Sequence, residues 1–146
     1  MNYKSIHIGA LIKQRVTERR IEISRVCNFM KLTKEEVEDM YNKESIDSEL
    51  LLKWSKLLEY DFFRVYSQHL ILYAPIGKDI YTNDVENNNK SSLPRFRKNV
   101  YTKEVIDYIL NKIEIGEMKS SEVIERYHIP KTTLYKWISK YKKISK

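Results

Sequence analysis

The feature that most constrains the fold is the stretch from Leu50 to Leu58. Leu50, Leu51, Trp54, Leu57 and Leu58 recur at intervals of three and four, which puts them on one side of an α-helix but on both faces of a strand. A stripe this apolar has to be buried against partners of the same kind, and they precede it. Ile8, Leu11, Ile12 and Val16 fall on one helical face, then Val26, Cys27, Met30 and Leu32, then Val37, Met40 and Tyr41. Asp47 or Ser48 stands where an N-cap for the strongest stripe belongs. Phe62, Phe63 and Tyr66 extend the core into a fifth short helix. The run LILYA, residues 70–74, is read either as the end of that helix or as a brief strand. With only three Gly and three Pro in 146 residues, and no long alternation of apolar and polar residues, the expected fold is all-α.

Other classes are set aside by what is missing. The longest purely apolar run, Leu70 to Ala74, is far too short to span a bilayer. The first 30 residues carry charges throughout, so no secretory signal is expected. A single Cys27 leaves no internal disulfide, and three scattered His residues offer no metal-ligand spacing. A soluble protein in a reduced, cytoplasmic setting, without a cofactor and without a membrane partner, is the expectation.

Residues 75–99 break the helical pattern with Pro75, Gly77, Asn87-Asn88-Asn89, Ser91-Ser92 and Pro94, which is turn and linker chemistry. The expected organisation is therefore two helical bundles, residues 1–74 and 100–146, joined by a flexible linker. That linker ends on Arg95, Phe96, Arg97 and Lys98. Such a cluster is either a solubilising end or an arm that lies along DNA ahead of a helical reader.

The C-terminal part reads as three helices. Thr102 caps the first, which buries Val105, Ile106, Ile109, Leu110 and Ile113 and stops at Gly116. Ser120 or Ser121 caps a short second helix with Val123, Ile124 and Tyr127 inward. His128-Ile129-Pro130 connects it to a third helix starting at or beside Pro130, whose missing N–H is harmless in a first turn. In that last helix Leu134, Trp137, Ile138 and Tyr141 form the buried stripe. Lys131, Thr132, Thr133, Tyr135, Lys136, Ser139 and Lys140, with Lys142 and Lys143 beyond, supply the other positions. The last acidic residue of the chain is Glu125, and seven cations follow it. A helix entering the major groove needs an outer face without carboxylates, because phosphates line both walls. It also needs donors that reach base edges and phosphates. The net charge of +7 suits such a polyanion without identifying it.

SSEVIERYHIPKTTLYKWISKYKK resembles the helix-turn-helix at the N-terminus of insertion-sequence transposases, and Thr133-Leu134-Tyr135-Lys136-Trp137 matches the most specific part of that pattern. The whole chain also resembles short flavobacterial proteins labelled transposases. The resemblance implies binding of double-stranded DNA. Two positions depart from it: His128 stands where a turn Gly is usual, which requires a left-handed backbone from His, and Ile124 stands where a small residue is usual. The N-terminal part is similar, more weakly, to the five-helix domain of Cro-type repressors. There Cys27 takes the small-residue position, Lys31 the turn and Thr33 the cap of the corresponding reading helix. That helix, however, exposes Glu35, Glu36, Glu38 and Asp39, which phosphates would repel. Up to Tyr66 the chain has 12 basic and 11 acidic residues, against 10 and 6 from Val100 onward. The N-terminal domain is accordingly expected to contact protein, as a homodimer or with a partner.

No catalytic role is expected. A transposase needs three metal-binding carboxylates on a mixed α/β domain, and two helical bundles leave no sequence to build one. No Ser, Cys or His stands in a nucleophile–base motif. Two functions compete: a sequence-specific DNA-binding protein, either a transcription regulator or the end-recognition partner of a mobile element, and a non-catalytic protein-interaction module whose basic tail binds nucleic acid non-specifically.

Overall fold

The computed structural model describes residues 2–75, 93–94 and 99–141. Among these residues the chain forms eight α-helices and no strand: α1 (Ile8–Glu18), α2 (Ile23–Met30), α3 (Lys34–Tyr41), α4 (Ser48–Leu58), α5 (Phe63–Tyr73), α6 (Lys103–Glu114), α7 (Ser120–Tyr127) and α8 (Lys131–Tyr141). None of them is long and apolar enough to cross a membrane. The fold is all-α. Two compact units divide between Ser67 and Gln68, inside α5. The Asn/Ser-rich stretch 76–92 lies outside the described residues.

In the unit Asn2–Ser67 the apolar stripes meet in one core. Ile8, Ile12, Val26, Val37, Trp54 and Leu58 are fully buried, with Met30, Met40, Leu51, Leu57 and Phe62 nearly so. Leu11, Val16, Cys27, Leu32, Tyr41 and Leu50 lie half-buried at its margin. Helix starts are set by side chains that satisfy N–H groups left over in the first turn. Asp47 Oδ1 accepts from Leu50 N at 2.9 Å. Thr33 Oγ1 accepts from Glu36 N at 3.2 Å while Glu36 Oε2 accepts from Thr33 N at 2.8 Å, a reciprocal capping box. At α1 the backbone also contributes: Ile8 N and Gly9 N donate to the carbonyls of Glu44 and Lys43 at 3.1 and 3.0 Å. That approach is possible because residue 9 has no side chain. A Cβ there would lie 2.3 Å from the carbonyl oxygen of Met40 and 2.7 Å from those of Tyr41 and Lys43.

α5 settles the run LILYA as helix, and Ala74 N still donates to Leu70 O at 2.9 Å. Its buried side runs through Val65, Gln68, Ile71 and Leu72. Phe63, expected in the core beside Phe62, is on the opposite side and is 38% exposed. Phe62 lies in the turn just before α5, and the buried side that follows through Val65, Gln68, Ile71 and Leu72 leaves Phe63 outside.

The unit Gln68–Lys146 is built around Val105, Ile106, Ile109, Val123, Tyr127, Ile129, Leu134 and Trp137, all buried. Leu110, Ile113, Ile124, Ile138 and Tyr141 are half-buried. Thr102 Oγ1 caps α6 by accepting from Val105 N at 3.4 Å. Gly116 follows that helix with φ +75°, the left-handed conformation that glycine adopts at little cost. Neither Ser120 nor Ser121 caps α7. Lys119 holds the N-cap position, and the Glu122 carboxylate accepts from its backbone N–H at 2.6 Å. The side chain that reaches back is here the one three residues into the helix, which serines at the helix start cannot replace.

Candidate nucleic-acid interface

α7 and α8 are joined by a three-residue turn and pack against each other. The turn begins at His128, with φ 51° and ψ 32°, the left-handed conformation expected where a glycine is usual. Ile129 is fully buried beneath it. Pro130 is exposed, and its carbonyl accepts from Thr133 N at 2.9 Å and Leu134 N at 3.1 Å, launching α8. Leu134 and Trp137 then anchor the inner side, 0% and 9% exposed, while α8 packs against α6 and α7. The Tyr101 ring meets Trp137 edge-on, centroids 4.9 Å apart and planes at 77°. Burial holds the Tyr127 hydroxyl above its usual range.

The outer side of α8 carries Lys131, Thr132, Tyr135, Lys136, Ser139 and Lys140, all exposed, with Thr133 half-buried. Six of the seven expected α8 contact residues therefore share one open surface. Arg95, Arg97, Lys98, Lys142 and Lys143 lie outside the described residues. Among the described residues no carboxylate pairs with Lys131, Lys136 or Lys140. Lys131 Nζ instead sits 5.8 Å from the Tyr135 ring centroid and Lys140 Nζ 5.3 Å from that of Tyr141. Exposed cation–π contacts of this kind contribute about 0.5–1 kcal/mol, little enough for a phosphate to displace them.

The N-terminal unit repeats this layout in other chemistry. Ile23 and Ser120 open α2 and α7, and Lys34 and Lys131 open α3 and α8, so both pairs lie 97 positions apart. The same shift carries the buried residues Ile8, Ile12, Val26, Met30, Val37 and Met40 onto the buried Val105, Ile109, Val123, Tyr127, Leu134 and Trp137. It also carries Lys31, with φ 56°, onto His128. Of the outward positions of α3 and their counterparts on α8, only Lys34 and Lys131, which open the two helices, are alike. Thr132, Thr133 and Lys136 correspond to Glu35, Glu36 and Asp39, all three exposed, and Lys34 is paired with Glu38 at 3.7 Å. α3 and α8 thus hold the same place in two units and present opposite charge.

No cluster of three or more metal-ligating side chains occurs among the described residues. Compared with protein-family models, curated proteins and solved structures, the chain gives no match in any of the three. Three positions that shape this unit were not apparent from residue patterns. Ile129 lies in a turn, outside any periodic stripe; Tyr101 precedes its helix; and Gln68 is polar, in a helix assigned by apolar spacing.

Proposed function

We propose that this chain is a sequence-specific, non-catalytic binder of double-stranded DNA that reads the major groove with α8. The reading is supported above all by the outer side of that helix, where three lysines, hydroxyls and a tyrosine stand without a carboxylate. A merely solvated helix mixes its signs. Thr132, Thr133 and Lys136 lie nearest the bases; Lys131 and Lys140 meet phosphates, joined by Arg95, Arg97, Lys98, Lys142 and Lys143. The biological setting is end recognition for a mobile element or regulation of transcription in the cytoplasm. The N-terminal unit, whose corresponding helix is acidic, supplies contact with a second copy or a partner protein, since one helix-turn-helix covers few base pairs and pairing two raises affinity.

The test is duplex binding by the full chain across a salt series. Replacing Lys131 and Lys140 together by Gln should lower the slope of log affinity against log salt by about 1.8, roughly 0.9 for each phosphate deprived of its lysine. Lys136→Gln should also reduce discrimination between selected and random duplexes by about 1–3 kcal/mol. Wild-type slope and discrimination in folded variants would refute the assignment of α8. Binding that is salt-sensitive but indifferent to sequence would favour the protein-interaction module with a basic tail.

A further inference from the structure

Gln68 is the single buried polar or charged side chain among the described residues, 1% exposed. Its carboxamide is fully used: Nε2 donates to Val100 O at 2.6 Å and Oε1 accepts from Thr102 N at 3.0 Å. A carbonyl and the N–H two positions further on point to the same side of an extended segment. Only a side chain offering one donor and one acceptor side by side can meet both. A carboxylate lacks the donor, an ammonium or guanidinium lacks the acceptor, and an apolar side chain would leave two backbone groups unpaired. The bridge therefore requires an amide, and Gln68 grips the chain on either side of Tyr101.

Tyr101 is the residue that packs edge-on against Trp137 of α8, and the next residue, Thr102, caps α6 with its hydroxyl. One carboxamide at the middle of α5 thus fixes the entry to α6 and the ring lying against the inner side of α8. We infer that Gln68 is a positioning residue for the reading helix, acting on Trp137 through Tyr101. The inference rests on the DNA-reading role of α8 for its functional consequence, and on the contacts alone for its mechanism. Donors aimed at base edges have to be held closely, whereas phosphate contacts tolerate small displacements. Loosening Gln68 should therefore cost sequence discrimination before it costs affinity for DNA in general.

The experiment uses the full chain as Gln68→Met, Tyr101→Leu and the double variant, with far-UV circular dichroism to establish folding. Two readouts are taken: the Trp137 indole N–H resonance, and the affinity ratio between the preferred duplex and a random one. Gln68→Met should shift or broaden the indole resonance and reduce the ratio about tenfold, with the salt slope unchanged. Tyr101→Leu should do the same, and the double variant should be no worse than the more affected single, as expected of residues acting in series. An unmoved resonance in folded Gln68→Met would overturn the inference. So would effects that multiply in the double variant, or salt slope and discrimination falling together. Should Gln68→Met not fold, Tyr101→Leu decides alone, since wild-type discrimination there removes the route to α8. If the wild-type chain binds no DNA, the proposed function fails while the indole resonance still tests the positioning contact.

Discussion

Replacing Gly9 by Ala adds one methyl group at the tightest contact in the N-terminal unit. Its Cβ would meet three carbonyl oxygens at 2.3, 2.7 and 2.7 Å, those of Met40, Tyr41 and Lys43. These are backbone atoms at the end of α3, so no side chain can swing aside. To reach ordinary contact α1 has to withdraw by roughly 1 Å, a forced repacking that costs about 1–3 kcal/mol. The withdrawal also stretches the hydrogen bonds from Ile8 N to Glu44 O and from Gly9 N to Lys43 O, now 3.1 and 3.0 Å, each worth about 1 kcal/mol. The total, about 3–5 kcal/mol, is a large part of what a unit of this size has to lose, at roughly 0.05–0.15 kcal/mol per residue. The assay is urea denaturation followed through Trp54, which is fully buried in this unit, in a Trp137→Phe background. Gly9→Ala should move the midpoint sharply lower or abolish the folded baseline. A midpoint within about 0.5 kcal/mol of wild type would refute the close approach of α1 to α3.

Two further outcomes are expected. Lys31→Gly and His128→Gly should each stabilise their own unit by about 0.5–1 kcal/mol, because a left-handed side-chain-bearing residue costs about 1–2 kcal/mol and glycine returns part of that as unfolded-state entropy; urea midpoints read through Trp54 and Trp137 check this, and lowered midpoints would count against the turn geometry. The full chain should sediment as a dimer or larger species at micromolar concentration and become monomeric on Glu35→Lys with Asp39→Lys; a wild-type chain that is monomeric throughout would remove self-association through α3.

Much of this architecture was legible in residue spacing. The stripes ending in Trp54 and Leu58, a cap at Asp47 or Ser48 and the stop at Gly116 follow from local rules, because each depends on residues within a turn or two, whereas the left-handed turn at His128 was expected only through the family resemblance. What was not legible depends on distant neighbours. Gly9 is one glycine in a helical stripe until α3 is brought against it. Gln68 is polar, and its presence in the buried stripe of α5 interrupts the apolar count that would have placed Phe63 outside. On α8, spacing separated the inner Leu134 and Trp137 from the outer Lys131, Lys136 and Lys140, while Thr133, Ile138 and Tyr141 are half-buried and fall between the two sides. The correspondence between the two units escaped because it lies in the spacing of buried positions and in backbone conformation, whereas the residues themselves differ at four of the six buried pairs.

That correspondence bears on how such a chain can change. Val37 and Met40 lock α3 in place as Leu134 and Trp137 lock α8, and all four are buried. Glu35, Glu36 and Asp39, like Thr132 and Lys136, are exposed and take no part in either core. Apart from Glu36, whose carboxylate also closes the capping box of α3, the positions that hold the scaffold and those that meet the outside are disjoint sets. Surface substitutions away from caps and ion pairs usually change stability by less than about 0.5 kcal/mol. A lineage carrying this frame could therefore trade one class of partner for another by a handful of exchanges on a single helix, with its interior left untouched.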